Sequence, residues 1–86
     1  MVRKKQKTMI AKAKDKEYYM NQRYKIEAWQ DDDGIWNIQI PVLKGCRSEG
    51  ETIAEAFEMI EDAKRAWIDM VYDDGGIIPE SDVPTL

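Results

Sequence analysis

The chain has 86 residues, a single cysteine, no histidine and a formal net charge of −4 at pH 7. This length allows one domain at most, with a small core, and a single cysteine excludes an intrachain disulfide. No apolar run approaches the roughly 20 residues that span a bilayer, so we expect no membrane segment. A lone thiol and no signal-peptide pattern favour a reducing, cytoplasmic setting. Oligomerisation is the expected source of extra stability.

The charge is divided unevenly along the chain. Residues 1–16 hold seven Lys and Arg against one Asp, a net charge of +6, whereas residues 17–86 hold six against 16 acids, a net charge of −10. The first segment is predicted to be a basic flexible arm, with nucleic-acid binding as the alternative. No aromatic residue is interleaved with its bases for stacking. The acidic body argues against nucleic acid as the main partner and favours a basic protein.

Two alternating runs predict a β-hairpin. After one short helical turn at Lys16–Asn21, the runs cover Arg23–Gln30 and Ile35–Ile40, and each places apolar residues on one face. The segment 31–34 between them reads Asp-Asp-Asp-Gly, which is a tight turn because glycine adopts positive φ at little cost.

The chain after this hairpin adds a third strand and a connector. Pro41 ends the second strand, since proline cannot donate to a ladder. Cys46–Gly50 is predicted to be a third, antiparallel strand. After a long helix at Thr52–Tyr72, Ile77–Pro79 is predicted to contact the rest of the domain again. Glu80–Leu86 is predicted to be a loose tail.

Thr52–Tyr72 is the one long helical signal. Thr52 and Glu55 have the spacing of a capping box, and Gly75 follows the last turn, where a left-handed residue ends a helix. Apolar residues recur at steps of three and four, which predicts an amphipathic helix. The predicted stripe is Ile53, Phe57, Ile60, Ala63, Trp67 and Val71.

The element order predicts an α+β two-layer sandwich, with a three-stranded antiparallel sheet covered by one long helix. The stripe of Phe57, Ile60, Ala63 and Trp67 is expected to lie on the face of the sheet that carries three isoleucines. These isoleucines are Ile26, Ile38 and Ile40.

The ordered motifs resemble a known family. The first motifs in chain order are Tyr24-Lys25-Ile26, the Asp/Gly turn and Ile40-Pro41-x-Leu43-x-Gly45-Cys46. They are followed by Gly50-x-Thr52-x-x-Glu55-Ala56, a helix with Trp67, and Asp74-Gly75 before Ile78-Pro79-Glu80. This combination is similar to the HicB antitoxin family over residues 17–81. The motif positions expected to have structural roles are Pro41, Gly45, Cys46, Gly50, Thr52, Glu55 and Trp67. Residues 82–86 follow as a tail.

The resemblance implies a truncated RNase H-like β-β-β-α-β unit without a working nuclease centre. It also implies a role in binding and inhibiting HicA, a small basic RNA-cleaving toxin, and a dimeric or higher oligomeric state. Many members carry a C-terminal DNA-binding domain, for which a chain ending at Leu86 leaves no room, and little room remains for the fourth strand. Val42 and Lys44 also replace the Asp and Pro usual in the family motif.

The acidic clusters are the only candidate catalytic groups. A metal-dependent nuclease reading of Asp31, Asp32 and Asp33 is the alternative suggested by an RNase H-like fold. We expect a solvated turn instead, because three adjacent acids cannot all point at one ion. Without histidine, Cys46 and Ser48 lack the usual activating base, so we expect no enzyme, no metal site and no cofactor. Cys46 is expected to be a small packed residue.

The remaining candidates concern a protein partner. Trp36 is expected in the core, whereas Trp29 falls on the opposite face, as either an interface anchor or a covered ring. The acids on the outer side of the helix either steer a basic toxin or are merely solvated, with pairs such as Glu61–Arg65. The candidate partner-binding residues are Trp29, Asp31, Asp32, Asp33, Glu49, Glu51, Glu58 and Asp62. A stand-alone regulatory or scaffold homodimer is the second hypothesis.

Overall fold

The computed structural model describes residues 15–83. Two helices and three strands follow one another as α1 (Lys16–Met20), β1 (Glu27–Gln30), β2 (Trp36–Gln39), β3 (Arg47–Gly50) and α2 (Ile53–Asp73). The basic arm predicted over residues 1–16 lies almost wholly outside the described residues, as does the end of the tail from residue 84.

The strands form a three-stranded antiparallel sheet in the order β1-β2-β3. The α+β prediction is therefore confirmed. Ala28 pairs with Ile38 across β1 and β2, and Ile38 pairs with Ser48 across β2 and β3. Within residues 15–83 there is no fourth strand.

The core lies between α2 and the strands β2 and β3. Ile38, Ile40, Leu43 and Ile60 are at most 2% exposed. Trp36, Ala63 and Trp67 are partly buried against this core, as their predicted faces require. The backbone of α2 lies close to β2 and β3. Of the three described strands, β1 is the one that the backbone of α2 does not approach.

The predicted stripe of α2 is wrong at its N-terminal end, where Ile53 and Phe57 are exposed. The buried residues of α2 are spaced by four instead, at Ala56, Ile60, Lys64 and Ile68. A four-residue step advances about 40° beyond a full turn, so the buried line winds slowly around the helix. Residues 53 and 57 therefore lie well to one side of the contact line where the helix begins.

Both ends of α2 follow the predicted chemistry. Thr52 Oγ1 accepts a hydrogen bond from the Glu55 amide at 3.0 Å, while Glu55 Oε1 accepts one from the Glu51 amide at 2.6 Å. The reciprocal bond thus goes to the residue before the N-cap, which differs by one position from the usual capping box. At the other end Gly75 has φ +75° and provides the left-handed residue that stops the helix.

The segment after α2 is tied to the chain before β1. The Tyr24 hydroxyl donates to the Pro79 carbonyl at 2.6 Å, the Lys25 amide donates to Asp82 Oδ1 at 2.9 Å, and the Ser81 hydroxyl donates to the Arg23 carbonyl. Residues 79–82 are therefore hydrogen-bonded to the body, which corrects the expectation that the tail is loose from Glu80 onward.

Candidate partner-binding surface

Within residues 15–83, no helix or strand covers the face of the sheet opposite α2. Because Ile38 is buried under α2, alternation along each strand places its neighbours on the other side of the sheet. We call this side the outer sheet face. Its residues are Glu27 and Trp29 on β1, Asn37 and Gln39 on β2, and Arg47 and Glu49 on β3.

Trp29 is the large apolar side chain of this face. It pairs with Asn37, which in turn pairs with Glu49, so these three residues form one row across the sheet. Trp29 is 45% exposed, so the rest of the described chain leaves a large part of this residue accessible, as an interface anchor would require. An exposed tryptophan among polar residues is typical of an interface anchor.

Carboxylates surround the tryptophan. Glu27 lies beside it on β1 and accepts a hydrogen bond from Gln39 Nε2 at 2.9 Å. Glu49 lies at the other end of its row, and Asp31 directly follows the last residue of β1. Arg47 is the single base of this face, so the surface is acidic overall and suits a basic partner.

Asp31 organises the hairpin turn. Its Oδ1 accepts hydrogen bonds from the Asp33 amide at 2.9 Å and the Ile35 amide at 3.0 Å, and its Oδ2 accepts one from Asn37 Nδ2 at 3.1 Å. The bond from Asn37, followed by those from the Ile35 and Asp33 amides, lowers the pKa of this carboxyl group. Asp31 therefore stabilises the loop and links it to the outer sheet face, whereas Asp32 and Asp33 are exposed at the tip.

The nuclease interpretation of this turn gains no support. In the part of the chain that the structure describes, no three His, Cys, Asp or Glu side chains come together in a way that would hold a metal ion. Both oxygens of Asp31 already accept hydrogen bonds from N–H groups.

Glu49 and Glu51 lie together at the start of the helix. With Glu55 they line an open cavity of about 250 Å³, whose apolar walls include Ile35 and Met59. Glu55 is engaged in the helix cap, whereas Glu49 and Glu51 are exposed. Glu49 and Glu51 therefore extend the acidic surface of the outer sheet face toward the start of α2.

Glu58 and Asp62 lie elsewhere, on the exposed side of α2. Asp62 forms an ion pair with Arg65 at 3.0 Å, rather than the predicted pair of Arg65 with Glu61. Farther along, Lys16 contacts Asp69 at 2.5 Å and Asp73 at 3.0 Å. The structure thus separates the predicted partner-binding residues into two groups, one on the outer sheet face with its hairpin turn and the start of the helix, and one on α2.

The motif residues of the loop between β2 and β3 meet in one place. Gly45 has φ +87°, a left-handed conformation that glycine adopts without strain. Trp67 Nε1 donates to the Lys44 carbonyl at 2.8 Å, which fixes the loop against α2. Cys46 is buried as predicted, and burial raises the pKa of its thiol. Pro41 is exposed at the start of this loop.

Gly50 has a different role from Gly45. A Cβ atom at residue 50 would lie 2.6 Å from the Ala56 nitrogen and 3.0 Å from the Ala56 Cα atom. Both are backbone atoms, so neither can rotate away. Gly50 therefore allows β3 to approach the first turn of α2 closely.

Sequence reasoning missed Lys64. Its side chain is only 7% exposed, its Nζ donates to the Gln22 carbonyl at 2.7 Å, and it lies 5.5 Å from the centre of the Tyr24 ring. The signal was the four-residue spacing of Ile60, Lys64 and Ile68, which a search for apolar residues alone does not detect.

A two-layer α+β domain with an exposed tryptophan on an acidic sheet face has the features of a small protein-binding module. The family described as "HicB_like antitoxin of bacterial toxin-antitoxin system" matches residues 24–84. The chain belongs to this family of HicB-like antitoxins.

Two relatives match more than half of the chain. The chain is 32% identical over 64 residues to the UPF0150 protein Ta0767 of Thermoplasma acidophilum, covering 74% of this chain and 93% of the relative. It is 33% identical over 51 residues to the UPF0150 protein ssr1765 of Synechocystis sp., covering 59% and 65%. No solved structure matches the chain significantly.

Neither described helix combines the length and the apolar character that crossing a membrane requires.

Proposed function

We propose that the protein is a cytoplasmic, non-enzymatic antitoxin that binds a basic HicA-like toxin through its outer sheet face. Trp29, 45% exposed on the edge strand of an acidic sheet face, is the observation that carries this proposal. Large aromatic residues of this kind account for much of the binding energy at protein interfaces. The family supports a toxin as the partner.

Charge is compatible with either surface. Glu27 and Glu49 form no ion pair within residues 15–83, and neither do Glu58 and Glu61 of α2, so the choice of the outer sheet face rests on Trp29. A surface with uncompensated carboxylates attracts a basic partner over distance and makes the association rate sensitive to salt.

Inhibition in this proposal is steric and electrostatic. A small RNA-cleaving toxin needs an exposed basic surface to hold phosphates. An acidic sheet face that covers that surface competes directly with RNA, so the antitoxin needs no catalytic group of its own.

The test is co-expression with a small basic HicA-like protein, sought among the products of the neighbouring genes. We expect rescue of growth and a complex on size exclusion at low salt. Trp29→Ala should weaken binding by about 2 kcal/mol, roughly thirtyfold. Met70→Ala removes a side chain that is 60% exposed on α2 and is the matched control, with affinity unchanged. No rescue and no complex would reject the proposal.

The second proposal is that the protein forms a homodimer. A homodimer is compatible with the antitoxin role and also with the alternative, a stand-alone regulatory or scaffold protein. All four residues of β1 are exposed, and β1 lies at one edge of the sheet. Open edges invite pairing with another strand. Light scattering coupled to size exclusion should give twice the chain mass, and a monomer across micromolar concentrations would contradict this proposal.

A further inference from the structure

Lys64 is a buried cation with few partners. Its ammonium group has three N–H donors, and within residues 15–83 it has one hydrogen bond, to the Gln22 carbonyl, besides its contact with the Tyr24 ring. No carboxylate lies within ion-pair distance of it in that part of the chain. Two of its three N–H donors therefore remain for another acceptor. Such an acceptor would be favourable, because burying a charge is costly unless it is paired or fully hydrogen-bonded.

A cavity of about 290 Å³ lies beside this lysine. Ile26, Ile40 and Val83 give it apolar walls, and Gln22 and Arg23 add polar groups. Its volume is at the small end of the range for ligand pockets, about 300–1,000 Å³. Such a cavity holds a molecule of a few heavy atoms and combines one buried cation with an apolar lining.

We propose that this cavity binds a small monocarboxylic acid with a short branched or cyclic apolar body. The carboxylate accepts hydrogen bonds from Lys64 Nζ, and Arg23 adds a second positive charge to the lining. The apolar body contacts Ile26, Ile40 and Val83. A carboxylate supplies the acceptors that the ammonium lacks, and bonds between two charged groups are the stronger class of hydrogen bond.

Glu61 selects the charge of the ligand. It also lines the cavity, and its side chain is exposed. A carboxylate at this position disfavours a second negative charge, so the cavity prefers a monoanion to a phosphate dianion or a dicarboxylate. Replacing it as Glu61→Gln should tighten binding of a monocarboxylate by about twofold, the size expected for a solvent-screened charge pair.

The site is independent of the proposed function. None of the residues that line this cavity belongs to the outer sheet face. A chain that fails to bind the acid can therefore still bind a toxin, and the reverse also holds.

The test is an NMR titration of the full chain with 3-methylbutanoate, with 3-methylbutanamide as the neutral control of the same shape. We expect saturable amide shifts at Tyr24, Ile26 and Ile40 with the acid and weaker binding of the amide by at least about tenfold. Lys64→Met should lose acid binding by a similar factor, while Arg65→Met, a change at the next residue on the exposed side, should retain it.

A second measurement keeps the test decisive if Lys64→Met unfolds. In the unaltered chain, NOEs should connect the methyl groups of the acid to those of Ile26, Ile40 and Val83. Non-saturating shifts, equal affinity for acid and amide, or full affinity in a folded Lys64→Met chain would each overturn the proposal.

Discussion

The two edge strands of the sheet differ in what covers them. At β3, Gly50 lies against the first turn of α2, so closely that a Cβ atom would clash with the Ala56 backbone. At β1 all four residues are exposed, and the helix backbone stays away. The contrast indicates that the helix-facing side of β3 stabilises the fold, whereas the β1 edge and the outer sheet face are available to partners.

The largest expected effect tests the covered side. Ile60 is completely buried between α2 and the sheet, so Ile60→Ala should lower the free energy of unfolding by about 2–5 kcal/mol. Phe57→Ala on the same helix removes a larger side chain that is 45% exposed, and it should cost clearly less. Urea denaturation compares the two, and an equal loss would contradict the position of the buried line.

The next effect separates the two motif glycines. Gly50→Ala should destabilise the protein by about 1–3 kcal/mol because of the clash with Ala56. Gly45 has no atom within 4 Å of its virtual Cβ, so only its positive φ restricts it. Asparagine tolerates that conformation better than alanine. Gly45→Asn should therefore be milder than Gly45→Ala, whereas Gly50→Asn should be at least as damaging as Gly50→Ala, as thermal denaturation can show.

Hydrogen exchange offers a residue-level version of the comparison. The amides of α2 and β2 that surround Ile38 and Ile60 should exchange slowest, near the rate of global unfolding, while those of β1 should exchange faster. Addition of the toxin, or dimerisation, should slow exchange in β1. Equal protection of β1 and β3 in the isolated monomer would argue against an uncovered β1 side.

The smallest effect concerns pH. Hydrogen bonds from Asn37 and the loop amides lower the pKa of Asp31 in the folded chain. Its contribution to stability is present above its unfolded pKa, near 3.9, and is lost as pH falls through the lower folded value. Asp31→Asn should therefore flatten the fall in stability below about pH 4. Asp32→Asn, at the neighbouring position outside this set of hydrogen bonds, is the control variant.

The local signals of the sequence were sufficient for the architecture. Alternation around the Asp-rich turn predicted the hairpin, Thr52 and Glu55 predicted the helix start, and Gly75 its end, because each of these depends on neighbouring residues alone. The strands are shorter than predicted: Arg23–Ile26 alternates like a strand but bonds to residues 79–82, a contact that local pattern does not encode.

The candidate surface was only partly predictable. The sequence indicated both Trp29 and Glu49 as candidate partner-binding residues. Only the register of the three strands shows that Asn37 lies between them in one row. The exposure of Phe57 and the burial of Lys64 follow from how α2 packs on the sheet, a tertiary feature that the apolar residue pattern of the helix does not encode.

The central claim is that the outer sheet face, rather than the acidic side of α2, recognises a basic partner. A matched pair of charge reversals tests it: Glu49→Lys on the sheet and Glu58→Lys on the helix, both at exposed positions. Calorimetry with the toxin at constant salt should show a loss of at least about tenfold in affinity, about 1.4 kcal/mol, for Glu49→Lys and less than about threefold for Glu58→Lys. A larger loss for Glu58→Lys would place the partner on the helix and contradict the account.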